Sequence, residues 1–285
     1  DISIERISGA GMSRRLVELN QGTIGARING LHSRGENNGL IGFDSAHSNT
    51  VYDVTSDPAG ISVARYDTRG VVRGMINFYQ CSTGNTVMGG HIQYAGQGVR
   101  LWGGKTNSVT DIVFEDLDIT RVQTTGQLTG GSDELNDAGR IGVCVDMGAP
   151  LVGAGGNAEF AHGTILDGII CRSPLVGYEG SDFKTQAAYI HDHSNISIGS
   201  LVVENKGAVS ATVGGIALSD VTGSVASFEV VGYYYCLRTE NVYADVQIAS
   251  LRCDGRPGTG SLASIPLYFD HSTFGPKIEQ VRILN

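Results

Sequence analysis

Acidic and imidazole side chains directly follow three apolar, strand-like segments in the second half of the chain. Asp146 comes after one segment, His191 and Asp192 follow the next, and Asp220 follows the third. Neighbouring strands of a sheet lie ~4.8 Å apart, so these groups are expected within ~10 Å of one another. Carboxyl pairs at roughly 5–9.5 Å cleave glycosidic bonds by acid–base chemistry. The candidate catalytic residues are therefore Asp146, Asp192, Asp220 and His191.

Aromatic, basic and amide side chains occupy matching positions in other segments. Trp and Tyr offer flat faces on which a sugar ring can stack, and Arg and Asn can hydrogen-bond hydroxyl groups. The candidate binding residues are Trp102, Tyr79, Arg100, Tyr189, Arg238 and Asn77. An Asp at a strand end is also a common turn former, and Asp44 and Asp270 fit that structural role equally well.

A repeated order of elements positions these residues. An alternating apolar segment, a polar turn, an Asn or Gly and a second alternating segment recur, as in QAAYIHDHSNISIGSLVVE from 186 to 204. One apolar column reads Phe43, Phe78, Leu101, Val145, Ile190, Leu218, Leu237 and Phe269. The column two residues earlier reads Ile41, Ile76, Val99, Val143, Ala188, Ile216, Tyr235 and Leu267. Alternation with period two places both columns on one face, and the recurrence predicts a solenoid.

The turns carry a third column. Its members are Asn49, Asn85, Asn107, Asn195 and Asn241, with Gly163 and Gly223 in the same place. Asn and Gly tolerate left-handed backbone, and stacked Asn side chains can hydrogen-bond to each other. The column predicts a structural ladder rather than a site.

Spacing between the repeats varies, so insertions are expected at the turns. The predicted coils span about 40–56, 74–95, 98–119, 141–170, 187–205, 215–231, 235–251 and 266–284. The largest insertions are Asp57–Arg73, Thr120–Arg140, Gly148–Ala161, Cys171–Gln186 and Arg252–Ile265. Because the coil resumes after each of them, residues 1–285 are predicted to form a single domain.

Composition excludes several classes of function. The formal net charge is −9 without a run of Lys or Arg, which argues against nucleic acid as the partner. No apolar stretch approaches the ~20 residues that span a bilayer, so no membrane association is expected. The five Cys form no CxxC and signal neither a disulfide framework nor zinc, so most are expected to be small buried apolar groups. No Gly-rich segment has the setting of a nucleotide site, and no metal or cofactor is predicted.

The segments GIALSDVTGSVASFEVV and CLRTENVYADVQI resemble the right-handed parallel β-helix of the pectin-lyase-like superfamily. The opening ISGAGMSRRLVEL is similar to an early coil in phage tailspike and capsule depolymerase modules. The resemblance implies an all-β, right-handed parallel β-helix of about nine to ten coils with long turn insertions. It also implies a polysaccharide ligand, a homotrimer and a place outside the cell or on a virion surface. The chain begins without Met and is interpreted as a mature form or fragment of a longer one.

Three functions fit this fold. The first is a polysaccharide depolymerase of the glycoside hydrolase type. The second is a lyase, for which Arg100, Arg238 and His191 are the available cations. The third is an adhesin that binds glycan without cleaving it. The open ends of a solenoid favour oligomers, with Tyr234, Val230 and Val202 expected between subunits.

Overall fold

A computed structural model of the protein describes residues 2–10, 15–34, 39–57, 74–79, 81–93, 97–115, 144–148, 161–172, 186–205, 214–255, 265–269 and 275–284. Every regular element in these ranges is a β-strand. None of the described residues forms a helix that is long and apolar enough to cross a membrane. Most residues of the five predicted insertions lie outside the described ranges, as do Asp270 and His271.

The strands are β1 Ser3–Ile4, β2 Ile7–Ala10, β3 Arg15–Leu19, β4 Arg27–Arg34, β5 Gly39–Asp44, β6 Thr50–Asp57, β7 Gly74–Tyr79, β8 Thr86–Gln93, β9 Gln97–Trp102, β10 Ser108–Glu115, β11 Val145–Gly148, β12 Ala161–His162, β13 Ile165–Asp167, β14 Ile169–Arg172, β15 Gln186–Glu204, β16 Gly214–Val231, β17 Tyr235–Asp254, β18 Ile265–Phe269 and β19 Lys277–Leu284.

The strands pair in parallel, and from β3 to β9 each pairs with the second strand along the chain. Two ladders result. The first ladder runs β3, β5, β7, β9, β11 and then the N-terminal parts of β15, β16 and β17. The second ladder runs β4, β6, β8, β10, β13 and β14 and continues into the C-terminal parts of the same three long strands. The all-β class and the parallel pairing predicted from the sequence are confirmed.

Apolar rows of the two ladders meet in one buried cluster. We use the word row for residues that are Cα partners on successive strands. One row of the first ladder reads Ile41, Ile76, Val99, Val145, Ala188, Ile216, Leu237 and Leu267. A second row reads Phe43, Phe78, Leu101, Met147, Ile190, Leu218, Thr239 and Phe269. The predicted places of Val145 and Leu237 were therefore wrong by two residues, because both belong to the row of Ile41.

The second ladder packs its interior row against the apolar rows of the first ladder. Its interior row reads Val51, Val87, Val109, Leu166, Ile198, Val225, Ile248 and Ile278. These side chains are buried, apart from the partly buried Ile278 on the last strand. All of them except Leu166 are β-branched, and β-branched side chains fit a pleated surface packed on one side.

The Asn ladder exists, but it is shorter than predicted. The backbone N–H and the Nδ2 of Asn49 donate to Asn85 Oδ1 at 3.1 and 2.9 Å, and Asn85 makes the same two bonds to Asn107 at 3.1 and 3.0 Å. On the next two strands the place of Asn107 is taken by Thr164 and Ile196. This follows from the pairing of the residues one position later, in which Ser108 pairs with Ile165 and Ile165 with Ser197. Asn195 was wrongly placed in the ladder. It is exposed and adopts a left-handed φ of 55°.

Four of the cysteines form two disulfides, which the sequence analysis did not predict. Cys144 is bonded to Cys171 with a Cα–Cα distance of 6.0 Å, and Cys236 to Cys253 with 5.8 Å. In each bond one cysteine lies at the start of a first-ladder strand and the other near the end of a second-ladder strand. Cys81 is exposed and has a free thiol.

On other strands a glycine and an apolar side chain occupy the corner that the disulfides occupy, where a first-ladder strand begins and a second-ladder strand ends. On β16 an ideal Cβ at Gly215 would lie 2.3 Å from Val230 Cγ1, and on β9 one at Gly98 would lie 3.1 Å from the Phe114 ring. Val230 is fully buried in this corner, so its predicted place between subunits was wrong.

Candidate functional site

A polar row lies between the two apolar rows of the first ladder and faces away from the core. It reads Glu18, Gly42, Asn77, Arg100, Asp146, Tyr189, Ala217, Arg238 and Tyr268. Aligning Val145 and Leu237 with Phe43 had placed Asp146 and Arg238 two residues later, just past the ends of their strands. The two-residue correction brings Asp146 between Arg100 and Tyr189.

Three consecutive polar side chains of this row, those of Asn77, Arg100 and Asp146, are buried. Asn77 and Asp146 have no exposed surface, and Arg100 is 2% exposed. A buried carboxylate is costly unless cationic or hydrogen-bonding groups compensate it. The neighbouring Arg100 supplies a permanent positive charge beside Asp146.

His191 connects this buried carboxylate with a more exposed one. Its Nε2 lies 3.7 Å from Asp146 Oδ1, and its Nδ1 lies 2.9 Å from Asp192 Oδ2. Tyr189 stacks on the imidazole with ring centroids 4.5 Å apart, which fixes the plane of the ring. The side chains of His191 and Asp192 are 5% and 41% exposed. The imidazole is thus held between a buried and a solvent-facing acid.

Asp192 and Asp220 occupy equivalent places on neighbouring strands. Each lies between the partner pairs His191/Ser219 and His193/Val221, where the ladder bends. Both adopt left-handed backbone, with φ of 46° and 50°. Asp220 accepts a long hydrogen bond of 3.5 Å from Ser219 Oγ. The two carboxyl groups therefore share a backbone setting but differ in their neighbours.

The other end of the polar row is organised by Arg15, which the sequence analysis missed. Its guanidinium contacts Glu18, donates to Tyr79 Oη and lies 4.5 Å from the centre of the Tyr79 ring. Tyr79 Oη in turn donates to Asn77 Oδ1 at 3.3 Å. The signal was the alternation of Arg15, Val17 and Leu19, which extends the first ladder by one strand before Leu40.

The remaining candidates are spread over the same ladder. Arg238 packs against Tyr235 and Tyr268, with its guanidinium carbon 5.9 and 5.3 Å from the ring centres. The backbone of Trp102 pairs with Tyr79 on β7 and Gly148 on β11, and its side chain lies outside the described part of the chain. Asp44 accepts a hydrogen bond from Ser45 Oγ at 3.3 Å.

Two further titratable groups, His193 and Tyr233, are buried. His193 faces the core in the row of Ala161 and Val221 and is 1% exposed. Burial, followed by the nearby His162 and His191, lowers the pKa of His193 to about 3. Burial, with a smaller effect of Glu204, raises the pKa of Tyr233 above its usual value. Both groups are neutral in the folded protein near pH 7.

Within the described residues, no cluster of three or more His, Cys, Asp or Glu side chains is arranged to hold a metal ion. No protein-family model, no curated protein and no solved structure matches this chain. The geometry of its own residues is therefore the basis for a functional proposal.

Proposed function

We propose that the chain is an extracellular polysaccharide-degrading protein of the glycoside hydrolase type, folded as a right-handed parallel β-helix of about nine to ten coils. Parallel pairing between every second strand and a single core shared by two ladders support this fold. The pectin-lyase-like resemblance of the sequence agrees with it. The two internal disulfides favour an oxidising, extracellular compartment.

One observation carries the proposed activity. Asp192 and Asp220 lie at the same bend of adjacent strands, where the strand spacing of ~4.8 Å brings two carboxyl groups close together. Two neighbouring carboxyl groups with different surroundings are suited to the acid and base steps of glycoside cleavage. Asp192 has an imidazole partner at 2.9 Å, whereas Asp220 has a hydroxyl group at 3.5 Å.

These surroundings assign the roles. With the proton on Nδ1, His191 donates to Asp192 and holds it as a carboxylate, the form that attacks the anomeric carbon or activates a water molecule. Asp220 has a hydroxyl group as its partner instead of an imidazole, and we assign it the role of the acid that protonates the leaving oxygen. Asp146 does not reach solvent, so it is a positioning residue that orients His191.

Replacement of the two acids tests this assignment. Asp192→Asn and Asp220→Asn are each expected to lower kcat by at least ~10²-fold on capsular, O-antigen or plant polysaccharides, followed by the release of reducing ends. Asp53→Asn and Asp111→Asn are matched controls, because these residues adopt the same left-handed backbone, with φ of 53° and 56°, on the second ladder. Full activity of both site variants would refute the assignment.

Two further readouts of the incubation with polysaccharide distinguish the hydrolase from a lyase and from a binding module. A lyase needs a cation that reaches the substrate carboxylate, and Arg100 and Arg238 are only 2% and 6% exposed. Products that absorb near-ultraviolet light would nevertheless identify a lyase. Retention of polymer by the double Asp variant, together with no cleavage by the parent protein, would identify a binding module.

We also propose a homotrimer. The resemblance of the sequence to phage tailspike modules supports this assembly. Light scattering that gives a monomer mass at micromolar concentration would contradict the trimer.

A further inference from the structure

A serine and a histidine meet at the surface, on two neighbouring strands. Ser194 Oγ lies 2.9 Å from His162 Nδ1, and the two residues are Cα partners on β15 and β12. His162 is exposed and Ser194 is half-buried, so solvent reaches the pair. The pair lies close to Asp192, which precedes Ser194 by two residues. The proposed function makes no use of it.

Backbone hydrogen bonds hold both partners of this pair in place. The N–H of His162 donates to the Gly104 carbonyl at 3.1 Å, and the His162 carbonyl accepts from Thr106 at 2.8 Å. The Ser194 carbonyl accepts from Gly163 at 3.0 Å. Paired strands therefore set the approach of the hydroxyl group to the imidazole, and sites on such elements are more precise than sites on loops.

The contact directs the hydroxyl proton of Ser194 to the imidazole. The Ala161 carbonyl is also within reach of Ser194 Oγ, but at 3.5 Å, so the contact of 2.9 Å with Nδ1 is the stronger one. With its own proton on Nε2, a neutral His162 accepts at Nδ1 and is a base for the hydroxyl group. No carboxylate within the described part of the chain is paired with His162, so the arrangement is a dyad. A serine next to such a base is the usual nucleophile of acyl transfer.

An amide group follows the hydroxyl group directly. Asn195 is exposed, and its left-handed φ of 55° interrupts the alternation of β15, so two successive side chains reach solvent. Its backbone N–H donates to Thr222 Oγ1 at 2.9 Å, which fixes the backbone at this point. Its side-chain amide has no partner among the described residues. Side-chain amides are among the groups that stabilise the oxyanion of acyl transfer.

We propose that Ser194 and His162 hydrolyse carboxylic esters. Ser194 Oγ attacks the carbonyl carbon, His162 Nδ1 takes the hydroxyl proton, and the Asn195 amide donates to the oxyanion. The bond to the alcohol oxygen then breaks, and the alcohol leaves with the proton from Nδ1. A water molecule gives a proton to Nδ1 and attacks the acyl group, and the carboxylic acid leaves as the proton returns to Oγ. The ester is either a small molecule or an acyl group carried by a polymer.

Covalent labelling of the whole chain tests the nucleophile. A fluorophosphonate phosphonylates an activated serine with loss of fluoride, and mass spectrometry is expected to locate the label on Ser194. His162→Gln should lower the labelling rate by at least ~10²-fold, because a general base contributes about that much. His32→Gln is the matched control, since His32 Nδ1 makes the same kind of contact with Thr55 Oγ1, at 2.8 Å between neighbouring strands. This control should label Ser194 at the rate of the parent protein.

Hydrolysis is followed with two esters, 4-nitrophenyl acetate and acetylated xylan. Ser194→Ala is expected to lower the rate by at least ~10²-fold, and His32→Gln to leave it unchanged. Cleavage of 4-nitrophenyl acetate supports a small ester as the substrate, and acetate release from xylan alone supports an acyl group on a polymer. The proposal would be overturned if Ser194 were not labelled, if neither ester were cleaved, or if Ser194→Ala kept the parent rate. None of these readouts involves glycoside cleavage, so the fate of the carboxyl pair does not decide them.

Discussion

Asp146 and His191 approach each other from neighbouring strands, with 3.7 Å between Oδ1 and Nε2. The pair is diagonal, because the direct partner of Asp146 on β15 is Tyr189, two residues before His191. Tyr189 stacks on the imidazole and keeps it over the carboxylate. The imidazole that contacts Asp192 is therefore positioned by a carboxylate that has no exposed surface.

Asp146→Asn is expected to lower both stability and activity. The amide keeps the volume but removes a negative charge between His191 and Arg100, both of which are nearly buried. We expect the free energy of unfolding to fall by roughly 1–3 kcal/mol in urea titrations. Asp245→Asn serves as the control, because Asp245 is 49% exposed and meets Lys277 only at 4.0 Å. Equal losses in both variants would contradict a special role for Asp146.

Asn85→Ala is expected to destabilise the protein more than a change at any exposed Asn. Asn85 accepts two hydrogen bonds from Asn49 and donates to Asn107 and to the Ala46 carbonyl. Its removal leaves several buried polar groups unpaired, at about 1–3 kcal/mol each before relaxation. Thermal unfolding measures the loss.

Asn195→Gly is the matched control for the ladder. Asn195 is exposed, and its left-handed φ of 55° suits glycine. The Tm of the Asn195→Gly variant is therefore expected to differ little from that of the parent protein. Similar decreases of Tm in Asn85→Ala and Asn195→Gly would show that the ladder hydrogen bonds contribute little.

The apolar pattern predicted which residues face the core but not the register of two strands. Val143, Val145 and Met147 alternate, as do Tyr235, Leu237 and Thr239, so a shift by two keeps the same face inward. Only a shift by one would have been visible as a polar core. That hidden shift moved Asp146 and Arg238 into the polar row, two residues from the places that the apolar columns had predicted for them.

The apolar pattern also did not predict the two disulfides or the strand at which the Asn ladder ends. The paired cysteines are separated by 27 and 17 residues, and such spacing carries no signal unless the fold has brought both ends to one corner. The predicted place of Asn195 in the ladder was wrong because Asn also occurs in turns that need left-handed backbone, without any ladder hydrogen bond. The ladder hydrogen bonds, in contrast, require a register that only the paired strands define.

The Cys144–Cys171 bond is expected to stabilise the strand that carries Asp146. Cys144 directly precedes β11, and a bond across 27 residues contributes about 3–4 kcal/mol by restricting the unfolded chain. Cys144→Ala combined with Cys171→Val should lose about this amount in urea unfolding, because Ala187 and Val203 fill the corresponding places on β15. Cys144→Ser combined with Cys171→Ser should lose more, because it also buries two hydroxyl groups. Equal losses would show that packing in the corner is unimportant.

His193 is expected to make the folded protein sensitive to acid. The unfolded imidazole takes up a proton near pH 6.5, whereas burial delays protonation of the folded one to about pH 3. Between these values the unfolded state binds more protons, so the free energy of unfolding decreases as the pH falls. This residue alone contributes a slope of about 1.4 kcal/mol per pH unit. Urea unfolding at several pH values from 4 to 6 measures that slope. This range of roughly two pH units lies between the pKa values of His193 in the unfolded and folded states.

His193→Val should remove this slope, because Val221 occupies the same row on the next strand and shows that the core accepts valine there. The variant gains its advantage only at low pH, and its stability at neutral pH depends on how well valine fills the space. His91→Gln replaces an exposed histidine whose side chain is 47% accessible, and it should retain the slope of the parent protein. If His193→Val retained the parent slope, the acid sensitivity would have to come from carboxyl groups, and the buried imidazole would have no part in it.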